Sequence, residues 1–352
     1  MTYVVETITY FVTIKRNSAK GMTLQAHIIG TGSSTPKRIL SNKELESIVD
    51  TTDEWIMRRS GIKERRISST GRKESTTDLA TQASLNAIEM AEISPENLDM
   101  IVVGTVTPDR QFPSAACMVQ KALRADCAFA FDVSAGCSGF LYALTIVNNA
   151  IQCGMCKTAL VVGVERLSSI INWRDRSTCV LLADGAGAVV VHSMPDQGGV
   201  LSTHLKSDGT LWDLLYSSYG NSYTPEILQF IGQKPFLLKM EGNRLFKRAI
   251  GCLSEIAREA LQHNSLSSKE IDLVVPHQAN IRIIQGLANN LRIPMEKVYT
   301  NIHKYGNTSS ATIPIALDEA NREGFLIKGA HVLLVSFGAG LTWAASVLRW
   351  SI

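Results

Sequence analysis

The chain lacks any run approaching the roughly 18 consecutive apolar residues that a membrane-spanning helix needs, so it is expected to be soluble and to have no membrane partner. It also lacks any run of five Lys/Arg, and its formal charge is only +3 over 352 residues. That balance excludes the electrostatics of a nucleic-acid binder, and an acidic partner would have to meet a local basic patch. Charged residues make up 19% and aromatics 7%, against 45% hydrophobic residues. Such a composition excludes disordered and fibrous classes and supplies a large core. Cysteine is scarce and unpaired in pattern: seven residues, at 117, 127, 137, 153, 156, 179 and 252, spread along the chain. Without a recognisable secretory signal they read as reduced thiols of a cytoplasmic protein. Cys153 and Cys156 form a lone CxxC with no second ligand pair and no thioredoxin-like context, so neither a redox pair nor a metal site is expected.

The first 21 residues mix apolar side chains with Glu6 and several threonines. Their basic residues, Lys15, Arg16 and Lys20, follow the apolar part, the reverse of a secretory signal. They are expected to be an extension of the folded domain. Met22 stands just before the first strand-like run, LQAHIIG from Leu24.

Beyond that point the same order of features is written twice. AIEMAEISPENLDMIVV (Ala87 to Val103) matches ALQHNSLSSKEIDLVVP (Ala260 to Pro276), with Asp99 on Asp272, Leu98 on Ile271 and Ser94 on Ser267. Each reads as helix, turn, buried strand. AFAFDVSAGC, ending at Cys137, then aligns with VYTNIHKYGN, ending at Asn307, and a helical stretch follows each. TALVVGVE from Thr158 matches AHVLLVSF from Ala330, and AGAVVVHS from Ala186 matches LTWAASVLRW from Leu341. The repeat predicts two halves, residues 22–195 and 196–352, with five strands in each. Strands alternating with helices imply mostly parallel sheets, with ligands beyond the carboxyl ends of the strands. Cys137 and Asn307 are expected after the third strand of their halves, and His277 after the second strand of its own.

Cys137, in DVSAGCSGF, stands between small residues where a strand gives way to a helix, a setting in which the helix N-terminus favours thiolate and a substrate can approach the backbone. The other six cysteines read as ordinary core or surface residues. His277, in VVPHQAN, follows a buried strand and a proline that ends it, so its imidazole should project from the sheet edge. Asn307, in HKYGNTSS, suits a turn or an N-cap, but its register with Cys137 in the repeat places it opposite the nucleophile.

Cys137, VPHQANIRII from Val275 and YGNTSSA from Tyr305 together resemble the Cys, His and Asn motifs of the ketoacyl-ACP synthase III family. TTDEWIMRRSGIKERR from Thr51, FPSAA from Phe112, LADGAGA from Leu182 and SFGAGLTW from Ser336 fit it too, so the resemblance runs from about Leu24 to Ile352. It implies an α/β thiolase-like fold: two pseudo-symmetric βαβαβαββ halves forming a layered α-β-α-β-α core. It also implies a mechanism that needs no cofactor. Cys137 takes the acyl group of an acyl-CoA, acetyl-CoA in the first instance, and His277 with Asn307 stabilises the enolate left when malonyl-ACP loses CO2. By the same resemblance the backbone N–H groups of Cys137 and Ala339 form an oxyanion hole. Some relatives carry three glycines after the phenylalanine where this chain has Gly338, Ala339 and Gly340, so a Cβ restricts the backbone there.

The resemblance further assigns CoA binding to Trp55, Arg59, Arg176 and Asn280, and the acyl channel to Met240, Phe246, Phe337 and Phe112. Phe112 would reach the neighbouring subunit's pocket, which implies a homodimer. Acyl carrier protein is acidic, and of the basic residues Arg244, Lys247, Arg248 and Arg282, the resemblance puts Lys247 and Arg282 near the channel mouth as its docking pair. Two other readings remain open at this point: a related acyltransferase or condensing enzyme of secondary metabolism, and a non-catalytic acyl-binding subunit.

Overall fold

The computed structural model describes residues 24–69, 74–195, 197–217 and 238–352. The expected extension, residues 1–21, and Met22 lie outside the described residues. In chain order the strands are β1 (Gln25–Ser34), β2 (Ile39–Ser41), β3 (Glu64–Arg66), β4 (Met100–Gly104), β5 (Phe129–Val133), β6 (Thr158–Arg166), β7 (Asp184–Met194), β8 (Gly199–Ser207), β9 (Leu215–Ser217), β10 (Leu238–Met240), β11 (Leu273–Pro276), β12 (His331–Gly338) and β13 (Thr342–Arg349). The helices are α1 (Asn42–Leu45), α2 (Asp53–Ser60), α3 (Thr76–Met90), α4 (Ala115–Leu123), α5 (Gly139–Gln152), α6 (Arg176–Cys179), α7 (Gly242–His263), α8 (Ile281–Leu291), α9 (Ile302–Tyr305) and α10 (Thr312–Arg322).

One sheet has the order β1-β7-β6-β4-β5 and the other β11-β12-β13-β8. β4 is parallel to β5 and β6, and β11 is parallel to β12, whereas β1–β7, β7–β6, β12–β13 and β13–β8 pair antiparallel, so the two sheets are mixed where mostly parallel pairing is expected. The helices sort by which faces they bury. α5 and α10 are buried over most of their surface, because they lie between the sheets and have little face to offer to water. Their side chains Phe140, Leu144 and Leu317 meet Val102 and Val161 of one sheet and Val275 and Leu334 of the other in a single core. α3 and α4 cover the outer face of the first sheet through Leu79, Ala83 and Val119. α7 and α8 cover the outer face of the second through Ile256, Leu287 and Leu291. The result is the expected five layers, helices and sheets alternating. The first eight residues of β6 are buried, as a central strand covered on both faces must be.

One expectation is corrected. Where the first half has β5 as a third strand, the matching run VYTNIH in the second half is not one: Val298 forms a single parallel bridge to Val274, and the chain then turns into α9. Gln278 explains why. Its Nε2 donates to the carbonyls of Pro276 and Tyr299 and its Oε1 accepts from the Asn301 N–H, so a side chain occupies the backbone groups that a strand would have paired. Asn307 therefore follows a short helix, not a strand. Among the described residues, no helix is long and apolar enough to cross a membrane.

Candidate active site

Three separate segments deliver Cys137, His277 and Asn307 to one cavity of about 850 Å³. Cys137 sits in the one-turn segment Gly136–Ser138 between β5 and α5. The end of β12 holds it from behind: a Cβ on Gly338 would run into the Cys137 backbone nitrogen. Gly338→Ala is accordingly expected to cost about 1–3 kcal/mol by overpacking, measurable as a lower thermal midpoint, and to displace the thiol. The cysteine keeps one face open to the cavity and is otherwise enclosed. That burial pushes the thiol up to about 11, with the charge of Glu165 adding to it; the Ser309 hydroxyl and the backbone N–H groups of Cys137 and Ala339 act in the opposite direction. Desolvation thus opposes the preference for thiolate expected of the α5 N-terminus. Ala339 does not fall among the residues with left-handed backbone, so its Cβ brings no strain to this turn.

His277 follows β11, its N–H donating to the Val335 carbonyl at 2.8 Å as the last rung toward β12. The ring is 4% exposed, and burial lowers its pKa to about 3, so it is neutral at any working pH. Nδ1 lies 2.6 Å from Thr312 Oγ1, whose hydroxyl donates to the Ser309 carbonyl oxygen at 2.9 Å. If that single proton turns to Nδ1 instead, the ring proton stands on Nε2 as a donor. Asn307 is fixed by its backbone, which donates to the Leu181 carbonyl and accepts from the Ala183 N–H. Its Oδ1 accepts from the Ser309 N–H at 2.9 Å, so the Nδ2 donors are left for the cavity.

The remaining candidates divide cleanly. Trp55, Arg59, Arg176, Asn280, Met240, Phe246, Lys247, Arg282, Phe337 and Ala339 all line the same cavity. At its mouth the Trp55 ring carries two guanidinium groups, Arg176 at 4.9 Å and Arg59 at 5.9 Å from the centroid. Asn280 spends its amide on the scaffold: Oδ1 caps α8 through the Arg282 N–H, and Nδ2 donates to the Arg59 carbonyl, tying α8 to α2. Arg282 packs over Phe246 at 5.2 Å. Lys247 is exposed on the second turn of α7, and Arg248 beside it faces Asp208 at 3.6 Å. Phe112 is the exception: it does not line this chain's cavity and is 83% exposed.

Two family models match the chain. The model for 3-oxoacyl-[acyl-carrier-protein (ACP)] synthase III matches residues 131–209, and that for its C-terminal part matches residues 261–350. The beta-ketoacyl-[acyl-carrier-protein] synthase III of Caldanaerobacter subterraneus subsp. tengcongensis is 49% identical over 328 residues, covering 93% of this chain and 98% of that one. This chain belongs to the beta-ketoacyl-ACP synthase III family. Among solved structures, 3-oxoacyl-[acyl-carrier-protein] synthase III from Aquifex aeolicus VF5 superposes with a TM-score of 0.86 at 48% identity, over 92% of this chain and 100% of that one. The priming beta-ketosynthase of the R1128 polyketide pathway has a TM-score of 0.87 at 35% identity, over 94% and 97%. The chain is thus a thiolase-like condensing acyltransferase of fatty acid biosynthesis.

Three residues of this synthase III site are not singled out by the sequence: Ser309, although it lies within YGNTSSA, Thr312 just beyond that motif, and Glu165. Glu165 did leave a trace in the sequence, as a carboxylate closing a strand, TALVVGVE, whose other residues are all apolar, Thr or Gly. Ser309 and Thr312 hide among small polar residues, and only the fold shows that they touch Cys137, Asn307 and His277.

Proposed function

We propose that Cys137 is the nucleophile and that His277 and Asn307 are the enolate-stabilising pair of a starter condensation between acyl-CoA and malonyl-ACP. The observation that carries this reading is the convergence of one thiol and two neutral donors on a single cavity. In the first step the Cys137 sulfur attacks the acyl thioester. The oxyanion is met by the N–H groups of Cys137 and Ala339, the pair that already faces the thiol, and CoA leaves as its thiol. In the second, the malonyl C–C bond breaks and CO2 departs without the bonding electrons. They remain on the α-carbon and thioester oxygen as an enolate, hydrogen-bonded by His277 Nε2–H and Asn307 Nδ2–H. The α-carbon then attacks the acyl group and releases the Cys137 sulfur. Neutral donors suit this task, because decarboxylation supplies the carbanion and no second base is needed.

The cavity mouth suits CoA: Trp55 offers a π-face, with Arg59 and Arg176 as cations beside it for phosphate. Trp55→Ala is expected to raise the KM for acyl-CoA about tenfold with kcat little changed, since stacking at the mouth binds ground and transition states alike. Lys247 and Arg282, both exposed at the rim, are the proposed contacts for the acidic carrier protein. The exposure of Phe112 suits a side chain that completes a second copy's acyl channel in a homodimer.

The decisive experiment is intact-protein mass after mixing with acetyl-CoA and then malonyl-ACP. An acetyl adduct that disappears as acetoacetyl-ACP forms supports the reading. Absence of an adduct with acetyl-CoA and with longer acyl-CoAs would overturn it in favour of an acyl-binding subunit. Turnover with malonyl-CoA in place of malonyl-ACP would instead move the chain toward the polyketide-type reaction that the likeness to a priming ketosynthase suggests.

A further inference from the structure

The acylation step leaves one atom without an owner: the proton of the Cys137 thiol. His277 is poorly suited to take it, since burial keeps the imidazole neutral well below the working pH range. Buried against Cys137 there is, however, a carboxylate. Glu165, at the end of β6, is completely inaccessible and has no Lys or Arg partner among its hydrogen bonds. Its oxygens accept from the Val106 N–H at 3.2 Å and from the hydroxyls of Thr107 at 2.5 Å, Thr105 at 3.4 Å, Ser310 at 3.2 Å and Ser309 at 3.3 Å. A structural carboxylate with no counterion is an expensive way to tie loops together, because a buried unpaired charge costs several kcal/mol.

Ser309 stands between this carboxylate and the nucleophile. Its hydroxyl donates to Glu165 Oε1, and it shares the cavity wall with Cys137, whose thiol it draws toward the thiolate. Its backbone is held at φ 52°, a left-handed conformation uncommon for serine, and strain of that kind persists only where the surroundings impose it. The Gly163 position on β6, where a Cβ would collide with the Ser310 carbonyl oxygen, lets the whole turn rest on the strand two residues before Glu165.

We propose that Glu165, acting through the Ser309 hydroxyl, receives the Cys137 proton during acylation, a role that rests on Cys137 being the nucleophile. The S–H proton passes to Ser309 Oγ while the Ser309 proton passes to Glu165 Oε1. The same two hydrogen bonds persist with their directions reversed, so that Ser309 now donates to the thiolate. Collapse of the tetrahedral adduct expels the CoA sulfur, and the proton held by Glu165 returns to it by the same relay. The balance is one proton moved from Cys137 to CoA. The titratable groups around Glu165 are Cys137, across Ser309, His277, beyond Thr312, and Arg166 as its neighbour on β6. The segments Thr105–Thr107 and Ser309–Ser310 contribute only amides and hydroxyls. Burial raises the Glu165 carboxyl to about 7, which places its exchange of a proton in the neutral range.

The test is single-turnover acylation by acetyl-CoA, followed by quenched-flow mass measurement across pH, for the wild type, Glu165→Gln and Ser309→Ala. The wild-type rate should rise through neutrality and level off. Both variants should be slower at pH 7 by roughly 10²-fold, with rates that go on climbing toward the range of the thiol itself. Condensation from acyl-enzyme allowed to form slowly should fall by a much smaller factor than acylation does, because it relies on His277 and Asn307 and needs no proton from Cys137. Wild-type acylation rates and pH profiles in both variants would overturn the relay, as would an equal loss in both half-reactions, which marks a structural role. If Glu165→Gln does not fold, Ser309→Ala and the wild-type profile decide the matter, and a wild-type rate flat through neutrality overturns the relay. A wild type that forms no adduct at all removes the nucleophile itself, a different failure from either.

Discussion

Cys137→Ala is expected to abolish the acyl adduct and to lower kcat/KM for condensation by at least about 10³-fold, more than any other single change in the molecule. Covalent catalysis divides one difficult acyl transfer into two, and without the sulfur neither half has a partner. The loss should be confined to that chemistry. The two donors proposed to stabilise an enolate belong to other segments, His277 beyond β11 and Asn307 beyond α9, and neither draws its position from the cysteine side chain. The variant should therefore still decarboxylate malonyl-ACP, now yielding acetyl-ACP because no acyl group awaits the enolate. Mass spectrometry of the carrier protein reads this directly. Loss of decarboxylation together with acylation would mean that the site had collapsed, and would remove the proposed division of roles. Cys137→Ser provides the companion measurement: an alkoxide forms far less readily than a thiolate, so its adduct should appear only at long times or not at all.

What the sequence disclosed depended on how many residues share one signal. The doubled order of strands and helices spreads over hundreds of residues, and the helix-covered sheets it implied are present, in the five layers that the family resemblance implied. A single carboxamide defeats the same logic. Gln278 competes with a strand for the backbone of Tyr299 and Asn301, and no hydrophobic pattern records that competition. The cysteine and the histidine were legible because each stands just beyond a strand-like run, and the asparagine through its register with the cysteine in the repeat. Glu165 left only the trace of a carboxylate closing an apolar strand, and Arg65 left none, since whether a charge is buried depends on residues distant in sequence. Arg65 is wholly enclosed and answered only by the carbonyls of Leu40 and Val180 and by Asn42. It clamps the segment leading from α2 to the α6 side of the mouth, yet in the sequence it is one more cation in IKERR.

Asn307→Ala should separate the two half-reactions from the opposite direction. The acyl adduct on Cys137 should form at close to the wild-type rate, because the proposed oxyanion donors for acylation are the backbone N–H groups of Cys137 and Ala339, which face the thiol. It should then persist when malonyl-ACP is added, with decarboxylation slower by about 10²–10³-fold, the usual loss on deleting one preorganised donor to a developing oxyanion. His277→Ala should behave in the same way. The pH dependence adds a sign that only neutral donors produce. The His277 pKa falls to about 3 in the folded protein against 6.5 for the free side chain, so the ring needs no titration to donate, and condensation from preformed acyl-enzyme should be flat from about pH 5 to 8. The folded state resists protonation of this ring. Its contribution to stability is full above about pH 6.5 and is lost as pH falls toward 3, so acid should unfold the wild type more readily than His277→Gln at matched neutral stability. A condensation rate that instead rose or fell with a midpoint near 6.5 would identify His277 as a proton-transferring base and overturn the assignment of both donors.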